Sequence, residues 1–150
     1  MSTSVSFALD AVEMQCLGRA LGGQLIAGDL VLLCGPLGAG KTTLTQGIAQ
    51  GLGVTERVTS PTFVIARVHR SGRVPLIHCD AYRLSSIVEI DDLDLDAAMD
   101  EAVTVVEWGE GKVEQLAEHG YLVVNIDRES MSGDSRRVSV DAVDRTWGGW

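Results

Sequence analysis

The chain has 150 residues, of which 21 are acidic and 12 are lysine or arginine, so its formal net charge is -9. This length predicts one domain over residues 1–150 and leaves no room for a separate substrate domain beside a nucleotide site. The acidic balance argues against a general binder of nucleic acid or of anionic membranes, and the lack of a basic leader or a long apolar run favours a cytoplasmic protein.

Helical and strand-like patterns alternate along the chain. Their spacing predicts, in order, a helix over 9–25, a strand over 30–34, a helix from residue 41, strands over 63–69 and 74–80 joined by a turn, a helix over 86–99, a strand over 103–108, a helix over 110–119, and strands over 121–127 and 138–143. Two pairs of consecutive strands have hairpin spacing: 63–69 with 74–80, and 121–127 with 138–143. We therefore expect a mixed sheet flanked by helices.

A glycine-rich loop joins the first core strand to the helix after it. Residues 35–42 read GPLGAGKT and fit the phosphate-binding pattern G-x-x-x-x-G-K-[ST] at every fixed position. Glycines let backbone N–H groups approach an anion, Lys41 brings charge to the β- and γ-phosphates, and the Thr42 hydroxyl is a ligand for Mg²⁺. This strand, loop and helix predict a P-loop NTPase-like α/β fold, with ATP contacts from Gly35, Leu37, Gly38, Ala39, Gly40, Lys41 and Thr42.

Two carboxylates end apolar strands at the sheet edge where ligands bind in open α/β folds. Asp80 ends the run 75–80 and has the position of a residue that holds Mg²⁺ directly or through water. Glu107 ends the run 103–107, where an unpaired carboxylate is expensive to bury, so it is expected to face a metal or an attacking water. The alternative is that each carboxylate only ends its strand at the surface.

Between these features lies a loop that reads TSPTF over residues 59–63. Pro61 favours an extended Ser60, and hydroxyls such as those of Ser60 and Thr62 can sense a γ-phosphate in a switch-like loop. Hydroxyls that only bond their own backbone are the alternative.

Four motifs in this order, GPLGAGKTTL, SPTF, the H-x-D-x-Y-R-L pattern of residues 78–84, and Glu107-Trp108, resemble the bacterial tRNA threonylcarbamoyladenosine biosynthesis ATPase family, TsaE. The resemblance implies a small ATPase that uses ATP and Mg²⁺ and binds a TsaD–TsaB heterodimer. It further implies support for threonylcarbamoyl transfer onto adenosine 37 of tRNA, which the chain would meet only through that complex.

The same resemblance implies residue roles. Lys41, Thr42 and Thr43 would contact phosphates and Mg²⁺, Asp80 and Glu107 would serve the metal and the hydrolytic water, and Trp108 would pack beside them. Cys79, Ala81, Gly109 and the segment 92–96 depart from the family pattern without removing an expected ligand.

The base of the nucleotide, the adenine pocket and the function class are assigned from fewer residues. ATP is favoured over GTP because no N-K-x-D motif is present, and residues 7–10 with the Arg136–Arg137 turn are candidates for the adenine pocket, Arg137 among them. A small-molecule P-loop kinase and a nucleotide sensor that does not require hydrolysis are the alternative functions.

Three cysteines without C-x-x-C spacing are expected to be reduced and buried.

The hairpin region is basic in an otherwise acidic chain. It carries Arg57, Arg67, His69, Arg70 and Arg73, whereas residues 89–101 carry only acidic charge. The basic group would engage an acidic partner surface or a tRNA phosphate near the ATP site, or it is ordinary exposed arginine.

Overall fold

The computed structural model describes residues 2–8, 10–35, 40–55, 58, 66–80, 101–107, 120–127 and 135–144. These residues form seven strands and two helices: β1 (Ser2–Ala8), α1 (Ala11–Gly22), β2 (Leu30–Cys34), α2 (Lys41–Leu52), β3 (Ala66–His69), β4 (Leu76–Asp80), β5 (Val103–Glu107), β6 (Tyr121–Asp127) and β7 (Arg136–Val143).

The strands form one sheet in the order β1-β7-β6-β2-β5-β4-β3. β2 pairs in parallel with β5 and β6, and β4 pairs in parallel with β5. The pairs β3/β4, β6/β7 and β1/β7 are antiparallel. The predicted α/β class with a mixed sheet is therefore confirmed. Neither helix in the described part of the chain has the length and apolar character to cross a membrane.

The local predictions differ from the structure mainly at element ends. α1 starts at Ala11 and not at residue 9, because the Asp10 side chain accepts a 2.9 Å hydrogen bond from the Glu13 N–H and caps the helix. β1 was not predicted, since its sequence STSVSFA is mostly polar. The predicted helices over 86–99 and 110–119 lie outside the described residues.

The core lies between the sheet and the two helices. β5 is buried along its whole length, and the buried Val31 and Leu33 of β2 share one apolar cluster with Leu44 and Ile48 of α2. Burial on both faces is what central parallel strands require, and it explains their continuous apolar sequences. The expectation of buried cysteines holds for Cys79 alone, since Cys16 is exposed on α1 and Cys34 is only partly buried.

The helices pack on each other through glycine. A Cβ added to Gly18 would lie 2.4 Å from the Leu44 carbonyl oxygen, and one added to Gly47 would lie 2.3 Å from that of Gln15. Gly22 and Gly51 leave similarly little space. This close approach holds α2 against α1, and α2 is the helix that begins at the predicted nucleotide loop.

Candidate active site

The carboxyl ends of the parallel strands bring the predicted residues to one edge of the sheet. Glu107, the last residue of β5, is opposite Leu33 of β2 on one side and Asp80 of β4 on the other. Because β2 runs in the same direction, Gly35 and the start of α2 lie at this edge as well. The edge is the place where an open α/β sheet binds its ligands.

α2 is preceded by a glycine whose backbone conformation would strain a larger residue. Gly40 has φ 108° and ψ 20°, and it offers no side-chain cap to the helix. Its carbonyl accepts the first helical bond, from the Leu44 N–H at 2.9 Å. The N–H groups in the first turn of a helix have no helical carbonyl to bind, so they are available to an anion.

Lys41, the first residue of α2, has a buried side chain. The residue is 7% exposed, and its Nζ donates a 2.7 Å hydrogen bond to the carbonyl oxygen of Gly35. The bond across the loop holds the charge beside the start of the helix.

Glu107 is the second buried charged residue at this edge. It is 4% exposed, and both its described contacts are made by Oε1: one with the Thr42 hydroxyl at 3.5 Å and one with His78 Nε2 at 3.3 Å. The Thr42 contact is at the outer limit of a hydrogen bond and is therefore weak. Burial of an ionised carboxylate is costly unless it is paired, and these two neighbours supply the pairing.

The donor atoms at this edge fit Mg²⁺. The Thr42 hydroxyl and the Glu107 carboxylate are oxygen donors, which this ion prefers, and their oxygens are 3.5 Å apart. Adjacent oxygens around an octahedral Mg²⁺ lie about 3 Å apart, so the two groups are near the required spacing. Asp80 is their neighbour by strand register, although its side chain lies outside the described structure.

His78 is a site residue to which the sequence reasoning gave no role. It is 0% exposed, and its Nε2 contacts the same Glu107 oxygen that faces Thr42. A signal was present in the sequence, because a histidine two residues before Asp80 on a strand points to the same face as that aspartate. A buried imidazole on such a face needs a polar partner.

A model of the family described as "Threonylcarbamoyl adenosine biosynthesis protein TsaE" matches residues 9–138. The chain belongs to the TsaE family. It is 55% identical over 139 residues to the tRNA threonylcarbamoyladenosine biosynthesis protein TsaE of Streptomyces coelicolor, with 89% of this chain and 93% of that relative covered.

A relative and a solved structure, both from Bacillus subtilis, are also similar to the chain. The tRNA threonylcarbamoyladenosine biosynthesis protein TsaE of that organism is 43% identical over 117 residues, which covers 77% of this chain and 71% of the relative. A crystal structure of Bacillus subtilis YdiB superposes with a TM-score of 0.78 at 31% identity and covers 95% of this chain and 86% of that one.

In this TsaE family member, the predicted site residues fall into three groups. Gly35, Gly40, Lys41, Thr42, Thr43 and Glu107 have described positions at the one sheet edge, together with the backbone of Asp80. Arg137 is exposed on β7, opposite Phe7 and Asp127, two strands away from β2. Leu37, Gly38, Ala39, Ser60, Thr62 and Trp108 lie outside the described residues.

Proposed function

We propose that this TsaE family member binds and hydrolyses ATP with Mg²⁺ and thereby supports the formation of N6-threonylcarbamoyladenosine at position 37 of tRNA. One observation carries the proposal: a buried lysine at the start of the loop helix and a buried glutamate beside the Thr42 hydroxyl lie at the same sheet edge. The relatives named for tRNA threonylcarbamoyladenosine biosynthesis support the biological process.

ATP binding would depend on the groups that contact its phosphates before the reaction. The Lys41 ammonium and the N–H groups at the start of α2 would hold the β- and γ-phosphates, and Gly35 and Gly40 let the backbone come close to them. Thr42, Asp80 and Glu107 would hold Mg²⁺, which when bound neutralises the charge of the phosphate oxygens.

Glu107 would act as the general base in ATP hydrolysis. The carboxylate would orient a water for attack on the γ-phosphorus and accept its proton, while the bond from that phosphorus to the β,γ-bridging oxygen breaks. The products are ADP and inorganic phosphate. A carboxylate buried among few polar groups is suited to this role, because charges interact more strongly where water is excluded.

The partner assignment rests on the family of the chain and on the relatives named for tRNA threonylcarbamoyladenosine biosynthesis. The modification step that ATP supports would take place on another protein. We assign that role to a TsaD–TsaB heterodimer, through which the chain would meet tRNA. Hydrolysis by the isolated chain is then expected to be slow.

The test measures binding and turnover on the same preparation. Calorimetry with ATP, ADP and GTP should show Mg²⁺-dependent binding with a preference for adenine nucleotides. Phosphate release should be slow for the chain alone and faster with purified TsaD–TsaB, in parallel with formation of the modified nucleoside. Absence of nucleotide binding would overturn the proposal.

Two other outcomes would replace the proposed ATPase function with a different one. A phosphorylated small-molecule product would identify a kinase. Repeated rounds of tRNA modification with a non-hydrolysable ATP analogue would identify a nucleotide sensor, because turnover of ATP would then be unnecessary.

A further inference from the structure

His78 lies where two strands fix the geometry of the Glu107 carboxylate. The parallel register pairs His78 with Val105 and Asp80 with Glu107, so His78 and Glu107 are diagonal neighbours on one face of the sheet. The imidazole is completely buried, and its Nε2 is 3.3 Å from Glu107 Oε1. Both groups are carried by hydrogen-bonded strands and not by loops, so their separation is set by the sheet.

The surroundings of the two ring nitrogens favour Nε2 as the donor in this contact. An ionised carboxylate only accepts hydrogen bonds, so the contact requires a proton on Nε2. Nδ1 is buried and has no hydrogen-bond partner among the described residues. A proton on Nδ1 would therefore be an unsatisfied buried donor, which makes the Nε2–H tautomer the favoured neutral form.

We propose that His78 is a positioning residue for the ATP hydrolysis assigned above: its Nε2–H holds Glu107 Oε1 beside the Thr42 hydroxyl. The inference rests on the proposed function. Without this hydrogen bond, the contact of Oε1 that remains among the described residues is the weak one with Thr42, at 3.5 Å. The carboxylate would then sample other rotamers, and the rate of the chemical step would fall while ATP still bound.

A competing explanation is that His78 only fills space in the core. Two variants separate the possibilities, because glutamine and methionine have similar length and only glutamine has an N–H donor near the position of Nε2. His78→Gln should keep most of the turnover of the unchanged chain. His78→Met should lower kcat by about tenfold or more, as expected for loss of a hydrogen bond to a charged group, with the Kd for ATP within about threefold.

If His78 only fills space in the core, His78→Met should turn over ATP faster than His78→Gln, because methionine is the better apolar filler. If His78→Met turned over ATP as fast as His78→Gln, the positioning role would be overturned. Thermal unfolding of both variants shows whether each remains folded at the assay temperature, so that kcat is compared between folded proteins.

A second readout needs no nucleotide and no turnover. Imidazole ¹⁵N spectra of the unliganded chain should show a protonated Nε2 on His78, and the signal should move in Glu107→Gln. An unprotonated Nε2 beside a protonated Nδ1 would overturn the proposal even if the chain hydrolyses ATP. A chain that shows the Nε2–H signal but hydrolyses no ATP would instead contradict the ATPase function and leave the hydrogen bond established.

Discussion

Lys41 combines burial with a position at the start of a helix. Removal of its ammonium should weaken ATP binding because a hydrogen bond to a charged group contributes about 1.5–3 kcal/mol, which corresponds to about ten- to a hundredfold in Kd. We therefore expect Lys41→Met to raise the Kd for ATP by about that factor in calorimetry. Arg70→Met is the matched control, since Arg70 is an exposed cation outside the site.

If the two variants weakened ATP binding equally, the effect would come from net charge and not from a phosphate contact. That result would contradict the role of Lys41 in the loop.

At the scale of elements, α2 has a glycine with positive φ at each end. Gly40 precedes the helix with φ 108°, and Gly53 follows it with φ 84°. Alanine at either position should destabilise the fold by about 1–3 kcal/mol because side chains disfavour this backbone region. Only Gly40→Ala should also weaken ATP binding, since only it displaces the N–H groups at the loop end. Equal Kd values for ATP in the two folded variants would argue against this anion site.

The contact between α1 and α2 gives a prediction about stability alone. Gly47→Ala puts a Cβ 2.3 Å from the Gln15 carbonyl oxygen and 2.9 Å from Gly18 Cα. Separation of the helices should cost about 1–3 kcal/mol or more, which exceeds the gain of about 1 kcal/mol in helix propensity. Thermal unfolding should show a Tm lower by several degrees.

The control for this variant is Gly23→Ala. Gly23 has φ -65°, and its added Cβ would meet its nearest neighbour, the Arg19 carbonyl oxygen, at 3.4 Å. It should leave the Tm within about two degrees, because neither backbone strain nor a clash arises. A Gly47→Ala chain as stable as the control would contradict close packing of the helix pair.

Local patterns made many of these elements and the hairpin pairs β3/β4 and β6/β7 predictable, whereas the pairing of strands distant in sequence was not predicted. The apolar run Leu30–Cys34 and the spacing of Leu44, Ile48 and Leu52 are short-range signals, and both elements are present. The neighbours of β2 in the sheet are β5 and β6, which are far away in sequence, and such pairing depends on the fold as a whole. The contact between His78 and Glu107 depends on the register of β4 and β5, so short-range sequence patterns do not predict it.

The turn between β3 and β4 is docked on the helix pair. The Arg73 guanidinium donates a 2.8 Å hydrogen bond to the Gly22 carbonyl oxygen, and the Arg73 N–H donates one of 2.8 Å to that of Leu52. The turn adjoins the start of β4, whereas the site lies at the end of that strand, roughly 13 Å away. The expectation that the basic turn is near the ATP site is therefore wrong for Arg70 and Arg73.

This docking predicts different roles for the two arginines. Arg73→Met should lower the free energy of unfolding by about 1–2 kcal/mol because it removes a bond to the end of α1, whereas Arg70→Met should change it by less than about 0.5 kcal/mol. Denaturant titrations compare the two. Equal stabilities would show that the Arg73 side chain does not anchor the turn. Steering of an acidic partner by Arg70 stays a prediction.

The role of Glu107 in hydrolysis is tested most directly by Glu107→Gln, assayed for ATP binding and for phosphate release with TsaD–TsaB. Glutamine keeps the shape and one acceptor oxygen but cannot take a proton from water. We expect the Kd for ATP to stay within about threefold while turnover falls by about a hundred- to ten-thousandfold, as for loss of a general base. Equal losses of binding and turnover would show that Glu107 only holds the bound nucleotide and metal, and unchanged turnover would contradict its catalytic role.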